Sequence, residues 1–397
     1  MKNKFLAIAS LTLLLSITSC TIEVREDNDI PKSDNVFTGN TISGTITKNT
    51  TIKKGNYTLE GIVKVADGIT LTIEPGAVFT AKSSVGTSLV VLKGGKIDAQ
   101  GTATEPIIFT SDNKKPGDWG GITIYGNAPI KAANGASTAL SEDGNNQTYG
   151  GNDANDNSGV MKYVRVEYGG RKIGDGTSET NTMTFYAVGA GTILENLVAY
   201  KGTDDGYEFF GGTVSASNLV SYGNYDDAFD WQDSWSGQNN SNWFAYQTSI
   251  GNFGMEIESS SNADNTAPKI SGITLIREAG TNPEVAGSAE ISAIQFKKQG
   301  SGIFTNVFID GYKNLGGKNA FAVLIQDAGT ETAQVLTNKV KVSPIFVQNS
   351  DNLGNWGYAF TSTQPKTYTN DNTVKKISLT SGAWSTVNGV DLLTALK

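Results

Sequence analysis

Residues 202–223 read GTDDGYEFFGGTVSASNLVSYG, and residues 224–246 read NYDDAFDWQDSWSGQNNSNWFAY. The second stretch repeats the first at a spacing of 22 residues: Asp204 and Asp205 recur as Asp226 and Asp227, Tyr207 as Phe229, Glu208 as Asp230, and Phe209 as Trp231. Asn218 recurs slightly later, as Asn242. A fixed period of this length marks a chain wound in equivalent coils, with residues one period apart stacked above one another.

Two markers extend the pattern outward. The first is Asn followed by two apolar residues, a small residue and Tyr, at 196–200, 218–222 and 242–246, with a weaker copy from Asn306. Asn tolerates left-handed backbone, so one per coil predicts a ladder of amides at a corner. The second is an apolar, outward, apolar triplet: 185–187, 207–209, 229–231, 255–257, 294–296 and 321–323. Alternate strand residues face opposite sides, which places the flanking pair inside and the middle residue outside. Upstream, 71–81 (LTIEPGAVFTA) matches 90–100 (VVLKGGKIDAQ) at a period of 19, through Leu71/Val90, Ile73/Leu92, Gly76/Gly95 and Val78/Ile97. Short β-branched runs between Gly, Asn and Asp turns, with no sustained helical periodicity beyond the N-terminus, predict an all-β fold. Coils of this length suit three short strands plus turns. The expectation is a single-domain right-handed parallel β-helix over residues 41–397 with irregular loop insertions. An antiparallel sandwich, the competing reading, leaves the in-register repeat unexplained.

Residues 1–19, with Lys2 and Lys4 ahead of an apolar run, read as a signal peptide. The segment resembles a bacterial lipoprotein signal with 17–20 as its lipobox, which implies a lipid on Cys20. That is the chain's single cysteine, so no disulfide is available to the mature protein. Residues 20–40 are polar and suit a flexible tether; Glu23, Glu26, Asp27 and Asp29 resemble the acidic tracts that carry some lipoproteins to the outer face of the outer membrane. Loss of Lys2 and Lys4 takes the basic count from 31 to 29 against 39 acids, a net side-chain charge of −10. Such a body repels nucleic acid.

The coil alignment stacks Glu208, Asp230 and Glu256 as an outward column on strands about 4.8 Å apart. Asp204, Asp226 and Asn252 form a second column of oxygen donors, with Asp205 and Asp227 beside it. Crowded carboxylates repel one another unless one binds a proton, the column is fully exposed, or a cation sits between them. Oxygen-rich clusters without His or Cys suit Ca²⁺, with Asp204, Asp226 and Asn252 as candidate ligands. Tyr225 and Trp235 join Glu208, Asp230 and Glu256 as ligand-binding candidates. Trp235, in the loop 232–241 and without a repeat partner, is expected to be an exposed platform for a sugar ring. The stretch 139–159 reads as an irregular polar insertion; Asp153, Asn155 and Asn157 alternate as in a calcium loop but lack its Gly and Glu. Arg165 and Arg277 fall within strand-like runs and suit structural ion pairs.

Residues 202–213, GTDDGYEFFGGT, together with the coil repeat, resemble the pectin-lyase-like superfamily of right-handed β-helices, in its branch of lipid-anchored surface proteins. The resemblance spans roughly residues 45–385. It implies a site on an outward parallel sheet, with Ca²⁺-bound carboxylates and a basic residue in lyases, or paired Asp residues in hydrolases. The chain departs from both: it has no His, which removes imidazole mechanisms, and no evident basic uronate clamp. The leading expectation is a non-catalytic outer-membrane lipoprotein facing the cell exterior, binding extracellular glycan beside a nutrient transporter. The alternatives are a Ca²⁺-assisted polysaccharide lyase, a carboxylate-pair glycosidase using Asp204, Asp205, Asp226, Asp227 and Asp230, and a structural or adhesive spacer.

Overall fold

The computed structural model describes residues 36–173 and 178–397, so the signal segment, Cys20 and the tether up to residue 35 lie outside the described residues. Phe37–Thr38 pairs antiparallel with the start of Thr41–Ile46. From there the chain winds as a right-handed parallel β-helix whose coils supply strands to three sheets. The first sheet carries Thr70–Ile73, Lys96–Gln100 and the leading halves of Gly159–Glu167, Ile193–Tyr200, Ala216–Tyr222, Asn240–Gln247, Lys269–Arg277 and Gly302–Asp310. The trailing halves of those long strands form the second sheet. The third holds Ser88–Val91, Ile122–Tyr125, Met183–Tyr186, Tyr207–Phe210, Phe229–Gln232, Met255–Ile257, Ile294–Phe296 and Val323–Ile325.

The predicted amide ladder stands at the corner between the first and second sheets. Asn196, Asn218, Asn242 and Asn306 have φ of 56°, 57°, 57° and 55°. Asn218 Nδ2 donates to Asn196 Oδ1 at 2.9 Å, and Asn242 Nδ2 to Asn218 Oδ1 at 3.0 Å. Tyr163 and Gly272 fill the same corner in their own coils, also with positive φ. The left-handed residue turns the strand sharply, which keeps the coil a closed wall around its core.

Inside, aromatics stack from coil to coil: Phe185 on Phe209 with centroids 5.0 Å apart, and Tyr207 on Phe229 at 5.5 Å. Such pairs contribute about 0.5–1.5 kcal/mol each beyond burial. They also fix the register, because a slip of one residue would turn Glu208 and Asp230 inward.

Three expectations are corrected. Leu71 pairs with Ile97, not Val90, so the full coil there is longer than 19 residues. The two similar segments lie on different sheets, each being strand, Gly turn and strand. The third-sheet triplet before 207–209 is 183–185 rather than 185–187, since Phe185 pairs with Phe209. Likewise Ile294 pairs with Val323, which makes 323–325 the true triplet instead of 321–323. Both errors are shifts of two, the one slip that preserves inside and outside.

Residues 126–158 leave the solenoid and fold back over the outer side of the third sheet. They pack Ile130, Ala132 and Tyr149 on an outward ladder of Tyr125, Tyr186 and Phe210, whose rings stack at 4.9 and 4.2 Å. The C-terminal segment covers the second sheet, where Ile377, Trp384, Val387, Leu392 and Leu393 meet Val198, Val220 and Phe244. Arg165 staples that segment, donating to the carbonyls of Ala383 and Trp384 at 2.7 and 3.1 Å, and it pairs with Glu167 at 2.7 Å.

Candidate functional site: a carboxylate trench on the third sheet

Glu208 pairs with Asp230, and Asp230 with Glu256, so the predicted column stands in register. It continues as Thr123 and Thr184 on one side and Gln295 and Leu324 on the other. The acids are therefore confined to three successive coils. Oxygens of Asp204, Asp205 and Asp226, of Asp205, Glu208 and Asp230, and of Asp227, Asp230 and Glu256 lie within 4.8 Å of one another in each set.

These carboxylates are not equivalent. Asp205 Oδ1 accepts the backbone N–H of Asp227 at 2.8 Å, and Asp227 Oδ1 accepts that of Phe253 at 2.6 Å. One coil earlier, Asn181 Oδ1 takes the N–H of Asp205 at 3.3 Å. Asn181, Asp205 and Asp227 thus form a second ladder, each capping the coil beside it. Glu208 points outward but is only 4% exposed; its oxygens accept amide N–H groups from Asn181 and, at 3.1 Å, from Gln232. Glu256 is paired with Lys297. Asp230, between them, accepts no hydrogen bond among the described residues, and its Oδ1 is shut off from solvent. In the coil after Glu256, Gln295, 5% exposed, also has an unpartnered buried Oε1.

Burial, reinforced by neighbouring negative charge, pushes the carboxyls of Asp204, Asp205, Glu208, Asp227 and Asp230 well above the usual range. Asp226 is pushed up to about 7 by burial and by Glu256. Glu256 is also raised by burial, against the opposing pull of Lys297. Burial alone would lower the Lys297 ammonium; Glu256, Asp230 and Glu258 reverse this and hold it protonated.

Two walls flank the floor. On one side, the 126–158 excursion brings Glu142 and Asp143, with Tyr125 donating to Asp143 at 2.6 Å and Tyr149 to Asp233. Glu258 is held at 3.6 Å by Lys297 and at 2.7 Å by Lys298. On the other side Lys172 reaches Glu179 at 2.6 Å and Glu284 at 3.8 Å.

Two expectations about this site are overturned. Trp235 is 1% exposed and belongs to the core. Left-handed Asp233 and Ser234 turn the loop inward, the ring stacks 4.8 Å from Phe209, and Nε1 donates to the carbonyl of Val214 at 3.0 Å. Asn252 offers its amide nitrogen, not an oxygen, to Asp226, because its Oδ1 is taken by the Glu284 N–H at 2.8 Å. Tyr225 is half-buried in the turn just before Asp226. Arg277 makes no ion pair among the described residues and donates to the Asn252 carbonyl at 2.7 Å.

Residues that motif reading missed include Asn181, Gln232, Glu258, Lys297 and Lys298. Gln232, Glu258 and Lys297 each follow a third-sheet triplet directly, so carrying the alignment one residue further would have found them. The 126–158 wall has no such signal, being a single insertion that folds over distant coils.

Residues 44–387 match the family described as the pectate-lyase-like β-helix domain. No curated protein and no solved structure gives a match.

Proposed function

This chain belongs to the pectate-lyase-like β-helix family, and we propose that it is a lipid-anchored surface protein whose third-sheet trench binds an extracellular glycan with the help of Ca²⁺. The observation that carries this reading is Asp230, a carboxylate with no hydrogen bond and a shielded oxygen, set between two other carboxylates. A buried bare oxygen is costly, and a hard cation with oxygen ligands relieves both the lost hydrogen bonds and the mutual repulsion. Asp227, Asp230 and Glu256 would hold the ion, with Asp204 and Asp226 forming a neighbouring seat. When bound, the ion supplies positive charge to which sugar hydroxyls or carboxylates can add. Cys20 would carry the anchor in the outer membrane, beside a nutrient transporter.

Lys297, held protonated by its acidic neighbours, is poorly suited to serve as the base of a lyase.

Calorimetric titration with Ca²⁺ tests the reading. Wild type should bind, Asp230→Asn should bind at least tenfold more weakly, and glycan-array signals should disappear in chelator. Absence of Ca²⁺ binding at millimolar concentration would overturn it in favour of a spacer.

A further inference from the structure

Lys297 stands out of line with the coil register. Ile257 pairs with Phe296, so the residues that follow them, Glu258 and Lys297, face each other across neighbouring coils. The Lys297 Nζ nevertheless closes on Glu256, two residues back, and stays 3.6 Å from Glu258, whose Oε2 is taken by Lys298 at 2.7 Å. The Lys297 side chain is 23% exposed and that of Glu256 15%, so water screens the pair only in part.

Glu256 is the covered corner of a set that is otherwise bare. With Asp227 and Asp230 it brings three carboxylate oxygens within 4.8 Å of one another. In register on one side of Glu256 lies Asp230, whose buried Oδ1 has no partner among the described residues. In register on the other side lies Gln295, 5% exposed, whose Nε2 is committed to Gln326 Oε1 at 3.2 Å and whose Oε1 has no partner. Buried polar atoms ordinarily find partners. Here two orphaned oxygens flank the one that an ammonium covers, and the ammonium serves neither. That is the donor set of a cation needing more oxygen ligands than a lysine on a fixed stem can satisfy.

Resting on the cation reading of the trench given above, we propose that Lys297 is a tethered counter-cation: it occupies the Glu256 corner in metal-free protein and passes to Glu258 when Ca²⁺ enters, so its charge sets the affinity of the seat. Two cations on one carboxylate repel each other, so Glu256 holds one at a time. The exchange needs no backbone movement, because rotation of the Lys297 side chain closes the 3.6 Å gap to Glu258. Lys298, on a stem 57% exposed, yields its place to solvent.

The test uses the folded protein with Ca²⁺ alone as the probe. Lys297→Met keeps a stem of similar length without the charge, and in calorimetry it should bind Ca²⁺ about tenfold more tightly than wild type. Lys297→Arg keeps the charge and should show no gain. In chelator Lys297→Met should melt below wild type, because the acids lose their counter-charge, and saturating Ca²⁺ should close that gap. A crystal structure with Ca²⁺ should show Lys297 Nζ on Glu258 and off Glu256. Equal or weaker Ca²⁺ binding by Lys297→Met overturns the inference, as does an equal gain in Lys297→Arg. So does a melting gap that Ca²⁺ leaves unchanged, which would make Lys297 a structural residue, or an Nζ still on Glu256 beside the bound ion. Should Lys297→Met fail to fold, the wild-type structure with Ca²⁺ decides. If wild type binds Ca²⁺ and Lys297→Met binds it no more tightly, this inference falls alone; if neither binds at millimolar concentration, the cation reading of the trench falls and takes this inference with it.

Discussion

Asp205 and Asp227 lie three residues from Glu208 and Asp230 on the same coils, and the two pairs do opposite work. The first pair caps backbone N–H groups in the neighbouring coil, so two successive gaps between coils there are closed by side-chain to main-chain hydrogen bonds. The second pair stands on the outer wall, where Glu208 is held by amides and Asp230 by nothing. Both look alike in sequence, as acids repeated at 22 residues. Repetition marks a position in the coil, while the number of partners tells whether that position serves the fold or a ligand. Asp205 thus serves stability and Asp230 binding, while Asp227, which caps through Oδ1 and also belongs to the set with Asp230 and Glu256, serves both.

Trp235 would break the assignment most visibly if it belonged with the ligand site. It lies inside, stacked against Phe209 and 6.0 Å from Trp243. Trp235→Ala should therefore cost about 3–5 kcal/mol in chemical denaturation, through the cavity it leaves. A stable variant that lost only glycan binding would return Trp235 to the surface. Asp227→Ala comes next. It strips the Phe253 N–H of its acceptor, and the loss should be about 1–3 kcal/mol, the cost of a buried unsatisfied group. Denaturation midpoints like those of wild type would mean that the cap is dispensable and the two pairs equivalent.

The sequence carried the coil, the amide corner and the column Glu208, Asp230 and Glu256, because each depends on residues one period apart. Where apolar alternation fitted two registers, at Phe185 and Phe321, a shift of two was invisible, since it exchanges like for like. Nor can sequence say which Asp of an adjacent pair turns to the backbone. That depends on the N–H presented by the next coil, and here Asp205 rather than Asp204 meets it. Trp235 escaped for a related reason: its direction is set by left-handed Asp233 and Ser234, which carry no glycine to announce the turn. The walls of the trench come from 126–158 and from Lys297, and only folding brings them to the column.

The smallest expected effect tests the electrostatic side of the comparison. Asp226 is pushed from 3.8 up to about 7 in the folded protein, so between these values the native state keeps a proton that the unfolded chain releases. Stability must then fall as pH rises through that window. Asp371, held below the usual range by the Thr373 hydroxyl, pulls the opposite way only at pH below about 4. Each pKa unit is worth about 1.4 kcal/mol, and partly solvated Asp226 should show a fraction of its total, ~1 kcal/mol in all. In chelator, melting temperatures should decline from pH 4.5 to 7.5, and Asp226→Asn should make the decline slightly shallower without removing it, because the other raised carboxyls of the trench pull the same way. Saturating Ca²⁺ should flatten it as well, because the cation displaces the same proton. Metal-free protein whose melt is level across that range would place the carboxylates in open water, and the outer column would be a solvated ridge with no more claim to a ligand than its neighbours.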